Sequence, residues 1–186
     1  MRQCIEDTFF VHHLKNELKP VLSGRQEVVF VCIGTDRSSG DSYGPFVGSK
    51  LKQTFYLRKY THVSVYGCLD YPVHAKNLAE TIQKIKERHT NPVVIAIDAC
   101  LGAAKNIGTV VLDQGPMKPG SGVQKELPPI GDYHISGIVN VGGFIPLQVL
   151  QSTRLALVYK MANKTADFIT RALFELEYEK KKTQAV

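Results

Sequence analysis

Two acidic residues follow apolar runs in a way that could bring their carboxylates together. Asp41 lies in the loop VCIGTDRSSGDSYGP and Asp98 ends the run VVIAIDA, both after stretches rich in Val and Ile. In an open α/β sheet, ligands bind in the crevice outside the carboxyl ends of the strands, so loops after parallel strands are where chemistry is expected. Asp41 and Asp98 are therefore candidates for one site. Two carboxylates within hydrogen-bonding reach do not both ionise readily. Sharing one proton, such a pair can activate a water molecule and protonate a leaving group. The competing reading of Asp41 is a helix cap, because a helix is predicted a few residues later. Asp98 is harder to read as structural, since VVIAI leads directly into it and a charge there must be paired, hydrated or shifted in pKa.

A third stretch, DQGPMKPGSGV over 113–123, supplies a Gly/Pro/Ser loop after another apolar run. The backbone N–H groups of Gly120, Ser121 and Gly122 could meet an oxyanion or a peptide carbonyl; the plainer alternative is a tight turn needing Gly at positive φ. No GxSxG elbow surrounds Ser121, which argues against a serine nucleophile. Asp36, with Arg37, Ser38 and Ser39, is expected to shape the first loop. Asp70 and His74 flank Pro72 after the second predicted strand and could reach the same crevice. His74 and His134 are candidate third partners, against the alternative of packed or surface histidines.

The elements that must position these residues can be read from the apolar pattern. Residues 5–19 predict an amphipathic helix closed by Pro20 and the Ser23-Gly24 pair. EVVFVCIG (27–34) is a β-branched run expected of a strand covered on both faces, and 44–59 can form a helix. The alternation continues with a strand at 62–67, a helix at 74–89, strands at 91–99, 107–113 and 134–141, and a helix at 152–180 with one apolar face. This order implies an α/β sandwich with right-handed crossovers, helices on both faces and about five strands in a largely parallel or mixed sheet. Residues 1–186 are expected to form a single domain, with the N-terminal helix of 1–24 and the C-terminal helix of 152–180 packed on it.

Composition narrows the class further. The chain has 186 residues, 44% of them hydrophobic, enough for a sizeable core. No run approaches the ~18–20 apolar residues of a membrane span, and the first residues lack the pattern of a secretory signal, so a cytoplasmic protein without membrane association is expected. The net charge is +6, but Lys and Arg are scattered apart from Lys180 to Lys182, and no direct nucleic-acid binding is expected. Cys4, Cys32, Cys68 and Cys100 form no CxxC pair and read as thiols, mainly small buried hydrophobes, one of which could border a site.

GTDRSSGDSYGP resembles the loop of the spore germination protease family, in which a Gly precedes an Asp by seven positions and Asp-x-x-Gly-Pro follows; here these are Gly34, Asp41, Gly44 and Pro45. VIAIDA (94–99) is similar to that family's second acidic strand end and PGSGV (119–123) to its Gly-rich loop, and the three motifs keep their order. With its shorter chain and YGCLDYPVHAKNL segment (66–78), the sequence more closely resembles the YyaC family of sporulation proteins. Both are similar to the hydrogenase-maturation endopeptidases, whose fold is a three-layer α/β/α sandwich with a Glu at the position of Asp41 and an Asp at that of Asp98. The resemblance implies an aspartic-type endopeptidase with Asp41 and Asp98 as its dyad, a protein or peptide substrate made in sporulation, a place inside the forespore or spore, and no cofactor or bound metal. The other classes left open are a metal-assisted maturation peptidase using the two acids and a His, and a non-catalytic binding protein of the same fold.

Overall fold

The computed structural model describes residues 1–58, 60–120, 127–143 and 145–184. Among them, six strands form one sheet, flanked by five α-helices: β1 (Arg2–Cys4), α1 (Phe10–Leu22), β2 (Val28–Cys32), α2 (Tyr43–Arg58), β3 (Val63–Tyr66), α3 (Leu78–Arg88), β4 (Val93–Gly102), β5 (Thr109–Gln114), β6 (Tyr133–Val141), α4 (Pro146–Gln151) and α5 (Leu155–Gln184). The strand order is β1-β5-β6-β4-β2-β3. β3, β2, β4 and β6 run parallel, β5 is antiparallel to β6, and β1 is antiparallel to β5. The sheet is thus mixed, as a largely parallel core with one reversed strand. No described helix is long and apolar enough to cross a membrane.

Burial explains the layers. All five residues of β2, VVFVC, are buried, which requires cover on both faces. On one face Phe30, Ile95, Ile97 and Ile135 pack with Leu14 and Leu18 of α1, Val47 and Leu51 of α2, and Phe168 and Ile169 of α5. On the other, Val29, Val31 and Ala96 pack with Leu78 and Ile85 of α3 and with Met117 and Ile130. The result is a three-layer α/β/α sandwich. Each of these aliphatic or aromatic side chains contributes about 1.5–3 kcal/mol when fully buried.

Among the differences from the sequence expectation are β1, the extent of α1, and α4, a short helix in a stretch between 141 and 152 to which the sequence reading assigned no element. The strand β1 was not foreseen, because three residues carry no readable period; it is held by pairing with β5 at Arg2↔Val111 through Cys4↔Thr109. α1 begins at Phe10 rather than residue 5, and Pro20 lies inside its last turn instead of closing it. Near a helix end a proline removes few hydrogen bonds, and Ser23 N–H still donates to Lys19 O at 3.0 Å.

The connections create a topological switch point. β2 passes through α2 to β3 on one side, and the chain returns through α3 to β4 on the other side of β2, so the segments after β2 and β4 diverge and open a crevice. The α2 layer is anchored beneath it by Tyr43, whose buried hydroxyl lies 2.8 Å from Thr165 Oγ1 of α5. Its ring fills the space over Gly137 of β6, where an added Cβ would come within 2.7 Å of it. Thr165→Val leaves the Tyr43 hydroxyl buried without its partner and is expected to cost about 1–3 kcal/mol in urea unfolding. Adding Tyr43→Phe in that background should cost less than it does alone, because it removes the orphaned group; strictly additive losses would show that the two hydroxyls do not interact.

Candidate active site

The loop that carries Asp41 is shaped by close backbone approaches. Gly34 has φ of 140°, and a Cβ on it would lie 2.0 Å from the Asp41 carbonyl oxygen. The chain therefore folds back on itself here only with glycine at this position. Thr35 N–H then donates to Asp41 O at 3.2 Å. The outer part of the loop is tied to the end of α4: Gly40 N–H donates to Leu150 O at 2.8 Å, and Ser39 Oγ–H lies 2.7 Å from Thr153 O and 3.0 Å from Gln151 O. Asp41 is thereby placed between the end of β2 and α4.

Asp98 is placed by β4. Strand alternation sets it on the same face as Ala96, and the register puts it opposite Ser136 of β6, with His134 opposite Ala96. Asp98 Oδ1 accepts the N–H of Ala99 at 2.8 Å. Burial raises the Asp98 carboxyl well above the usual carboxylate range, the neighbouring Asp41 charge raises it further, and the Ala99 N–H opposes both. Asp41 is also raised, by burial, against the lowering effect of the Ser38 hydroxyl. Among the described residues no cation offsets either shift. The charge of Asp41 thus acts on Asp98, and both carboxylates face the same cavity.

Both acids line one cavity of about 450 Å³, a size typical of ligand sites. Cys100, Lys118, Gly120, His134 and Ser136 line it as well, with Met117, Pro146 and Leu150 supplying apolar wall. Burial, followed by the Asp98 charge, pushes the Cys100 thiol up to about 11, so it is poorly suited to act as a thiolate nucleophile. His134 Nδ1 is 3.0 Å from Gly115 O; a carbonyl can only accept, so this nitrogen carries the hydrogen.

Of the residues the sequence singled out, Asp41, Asp98, Gly120 and His134 meet at the cavity, and Gly34 shapes the loop under it. Asp36 and His74 instead line a separate groove with Thr35, Arg37 and Pro72, and Asp70 lies beside Lys52 and Tyr71 at the far side of β3. The expectation that Asp70 and His74 reach the crevice is not met, because β3 sits on the opposite side of β2 from β4 and Val73 is pinned to the β2 end by the Ile33↔Val73 bridge. Ser121 and Gly122 fall outside the described residues. Ser136 was missed, although the His134-x-Ser136 alternation on one strand was a usable signal; Leu150 gave none, since it reaches the cavity from a distant helix. Among the described residues, no three His, Cys, Asp or Glu side chains are placed to hold a metal ion, so Asp41, Asp98 and His134 do not form a ligand set.

Comparison with known proteins places this architecture. The solved structure of the [NiFe] hydrogenase maturation protease HycI from Thermococcus kodakarensis KOD1 matches with a TM-score of 0.59 at 20% identity, over 84% of this chain and 98% of that one, so the two share a fold. The uncharacterized protein YyaC of Bacillus subtilis (strain 168) is 56% identical over 140 residues, which are 75% of this chain and 66% of that protein; the match thus spans just under two thirds of the relative's length. The family model described as "Protein of unknown function (DUF1256)" matches residues 3–168, and with nearly the whole chain inside that match, the protein belongs to the DUF1256 family.

Proposed function

We propose that this chain is an aspartic-type endopeptidase acting on a protein of sporulation or of the spore, with Asp41 and Asp98 as its dyad. The observation that carries the reading is the pair itself: two carboxylates, both raised and neither lowered by a cation among the described residues, in one cavity at the switch point of the sheet. The fold shared with a maturation protease supports the peptidase part of it. The substrate is a polypeptide met inside the forming spore, without membrane or nucleic acid as partner.

The chemistry follows from the unequal environments. Asp98, the more strongly raised, holds the shared proton, and Asp41 is the ionised partner. Asp41 takes a proton from a water molecule as its oxygen bonds to the peptide carbonyl carbon, while Asp98 gives its proton to the carbonyl oxygen. Collapse of the tetrahedral intermediate returns that hydroxyl proton to Asp98 and transfers the proton on Asp41 to the leaving nitrogen. The C–N bond breaks and the dyad is restored with one proton. The pair titrates as a unit.

Asp98→Asn and Asp41→Asn are each expected to lower cleavage of proteins extracted from spores by a factor of about 10² or more, with circular dichroism unchanged, while chelators leave wild-type cleavage intact. Wild-type rates in both variants would remove the chemistry from these carboxylates, and loss on chelation with recovery on one metal would move it to a metal-assisted class. The pH profile should be bell-shaped, with its acid limb above the ~3.9 of a free Asp, since both members are raised.

Stability carries an independent reading of Asp98. Its folded pKa lies above the unfolded value, so the native state binds the proton more tightly. The resulting stabilisation is full below about pH 3.9 and is lost as pH rises through the folded pKa. Asparagine suffers no such loss. Relative to wild type, Asp98→Asn should therefore melt progressively higher as pH rises from acid to neutral; a constant difference in melting temperature across that range would show that Asp98 is not raised.

A further inference from the structure

The backbone of β4 beyond its pairing with β2 carries hydrogen-bonding groups that the fold leaves unused. Val93 N–H donates to Glu27 O at 3.0 Å and Ile97 O accepts Ile33 N–H at 2.7 Å, so odd-numbered residues of β4 direct their backbone groups toward β2. Val94 O accepts Asp132 N–H and Gly102 O accepts Gly142 N–H, each at 2.8 Å, so even-numbered residues face β6. The register with β6 shifts between Cys100 and Leu101, where Val139 of β6 is left over, and since Gly102 still faces β6 beyond that shift, the alternation holds on β4 and Ala99 and Leu101 face away from β6. The β2 partner is gone at that point: its register with β4 ends at Cys32↔Ile97, and the chain turns away at Gly34.

Ala99 N–H is taken by Asp98 Oδ1. Ala99 C=O, Leu101 N–H and Leu101 C=O lie beyond the end of the β2 ladder and on the side away from β6, and make no backbone bond to a loop or turn among the described residues. Backbone groups on a strand edge are obligatory hydrogen-bonding groups and a template for another strand. Ala99 and Leu101 are partly exposed, and both line the cavity that holds the two acids.

We propose that this open edge of β4 is a main-chain docking site for an extended peptide that adds in parallel, in the place β2 vacates, as β-augmentation does elsewhere. The proposal rests on the peptidase reading and specifies how its substrate is held. A peptide that continues the position of β2 takes the direction of β2, which is parallel to β4. In a parallel ladder one peptide residue opposite Cys100 donates its N–H to Ala99 O and accepts Leu101 N–H, and the residue two further on donates to Leu101 O. In the parallel direction, the residues before the one opposite Cys100 run back past Asp98 at ~3.3 Å per residue. The edge at Ala99–Leu101 therefore holds the segment C-terminal to the scissile bond. Recognition is through the main chain and tolerates many side chains, so the ligand class is an unfolded polypeptide segment.

The test uses the full chain carrying Asp98→Asn, which stops turnover, and a pool of capped decapeptides of randomised sequence at millimolar concentration, read by residue-resolved amide hydrogen exchange. In the free protein the Leu101 amide should exchange faster than that of Cys100, which faces β6. On adding the pool it should slow by about tenfold or more, the worth of roughly one hydrogen bond. A Leu101 amide already protected without peptide, or unchanged by the pool, overturns the proposal. A pool N-methylated along its backbone should give no protection, and protection by it would also overturn the proposal. Leu101→Pro removes the N–H without breaking a bond to β6 and should abolish binding, whereas Leu101→Ala keeps it; the N-methylated pool decides the matter if the proline variant fails to fold. Cleavage by wild type without protection of Leu101 would leave the dyad standing and remove the docking site, and protection without any cleavage by wild type would do the reverse.

Discussion

β2 contributes five residues to the sheet and β4 contributes ten, and the cavity follows from that mismatch. Where β2 stops, β4 keeps its partner β6 on one side and loses the other, so Asp98 is the first residue of β4 beyond the paired stretch. An equal pair of strands would have enclosed the Asp98 backbone between neighbours on both sides. The chain leaving β2 is turned back at Gly34 and tied to α4 through Ser39 and Gly40, which brings Asp41 to the space β2 gave up. The site is thus a consequence of strand length and one tight loop, both fixed by backbone geometry rather than by the acids themselves.

The rest of the molecule makes that arrangement tolerable. A carboxyl raised by burial and by a like charge lowers stability at neutral pH, and the packed layer of α1, α2 and α5 offsets it. α5 crosses both other helices of this layer, with Glu175 ion-paired to Lys15 of α1 and Glu179 to Lys19. These pairs at the helix surface, the first of them part-buried, contribute little each; the buried Phe168, Ile169 and Leu173 on the same helix contribute most. Tyr43, two residues after Asp41, links this layer to the site through its contact with Gly137 and its hydroxyl pair with Thr165.

How much of this was legible in the sequence depended on the length scale of each signal. The central strands were readable because VVFVC and VVIAI are continuous β-branched runs, and α3 because Leu78, Ile82 and Ile85 recur at helical spacing. Asp41 and Asp98 stood out because each follows such a run. β1 has three residues and exists through its partner, so no local pattern announces it. Asp70 and His74 were misplaced because sequence shows that they follow a strand but not on which side of β2 that strand lies. Ser136 lay in view as the second member of an alternating pair with His134, whereas Leu150 enters through long-range contacts to Gly40. The open edge of β4 could not be seen at all, since it is defined by where a different strand ends.

A structural role for Asp98 is difficult to sustain on the same physics. Structural buried carboxylates are stabilised by cations or by several donors. Asp98 Oδ1 has the N–H of its own neighbour, Ala99, no cation lowers it, and the nearest charge that acts on it is another carboxylate. Asparagine would satisfy that one donor without the burden of burial or repulsion. On the proposed reading, a side chain that burdens the fold, and whose replacement would relieve it, is kept for what its proton can do. Asp41 completes the argument, because it raises Asp98 further without compensating it. On the proposed reading, a proton held between two acids beside an open strand edge supplies what peptide hydrolysis requires: a donor, an acceptor and a place to align a main chain.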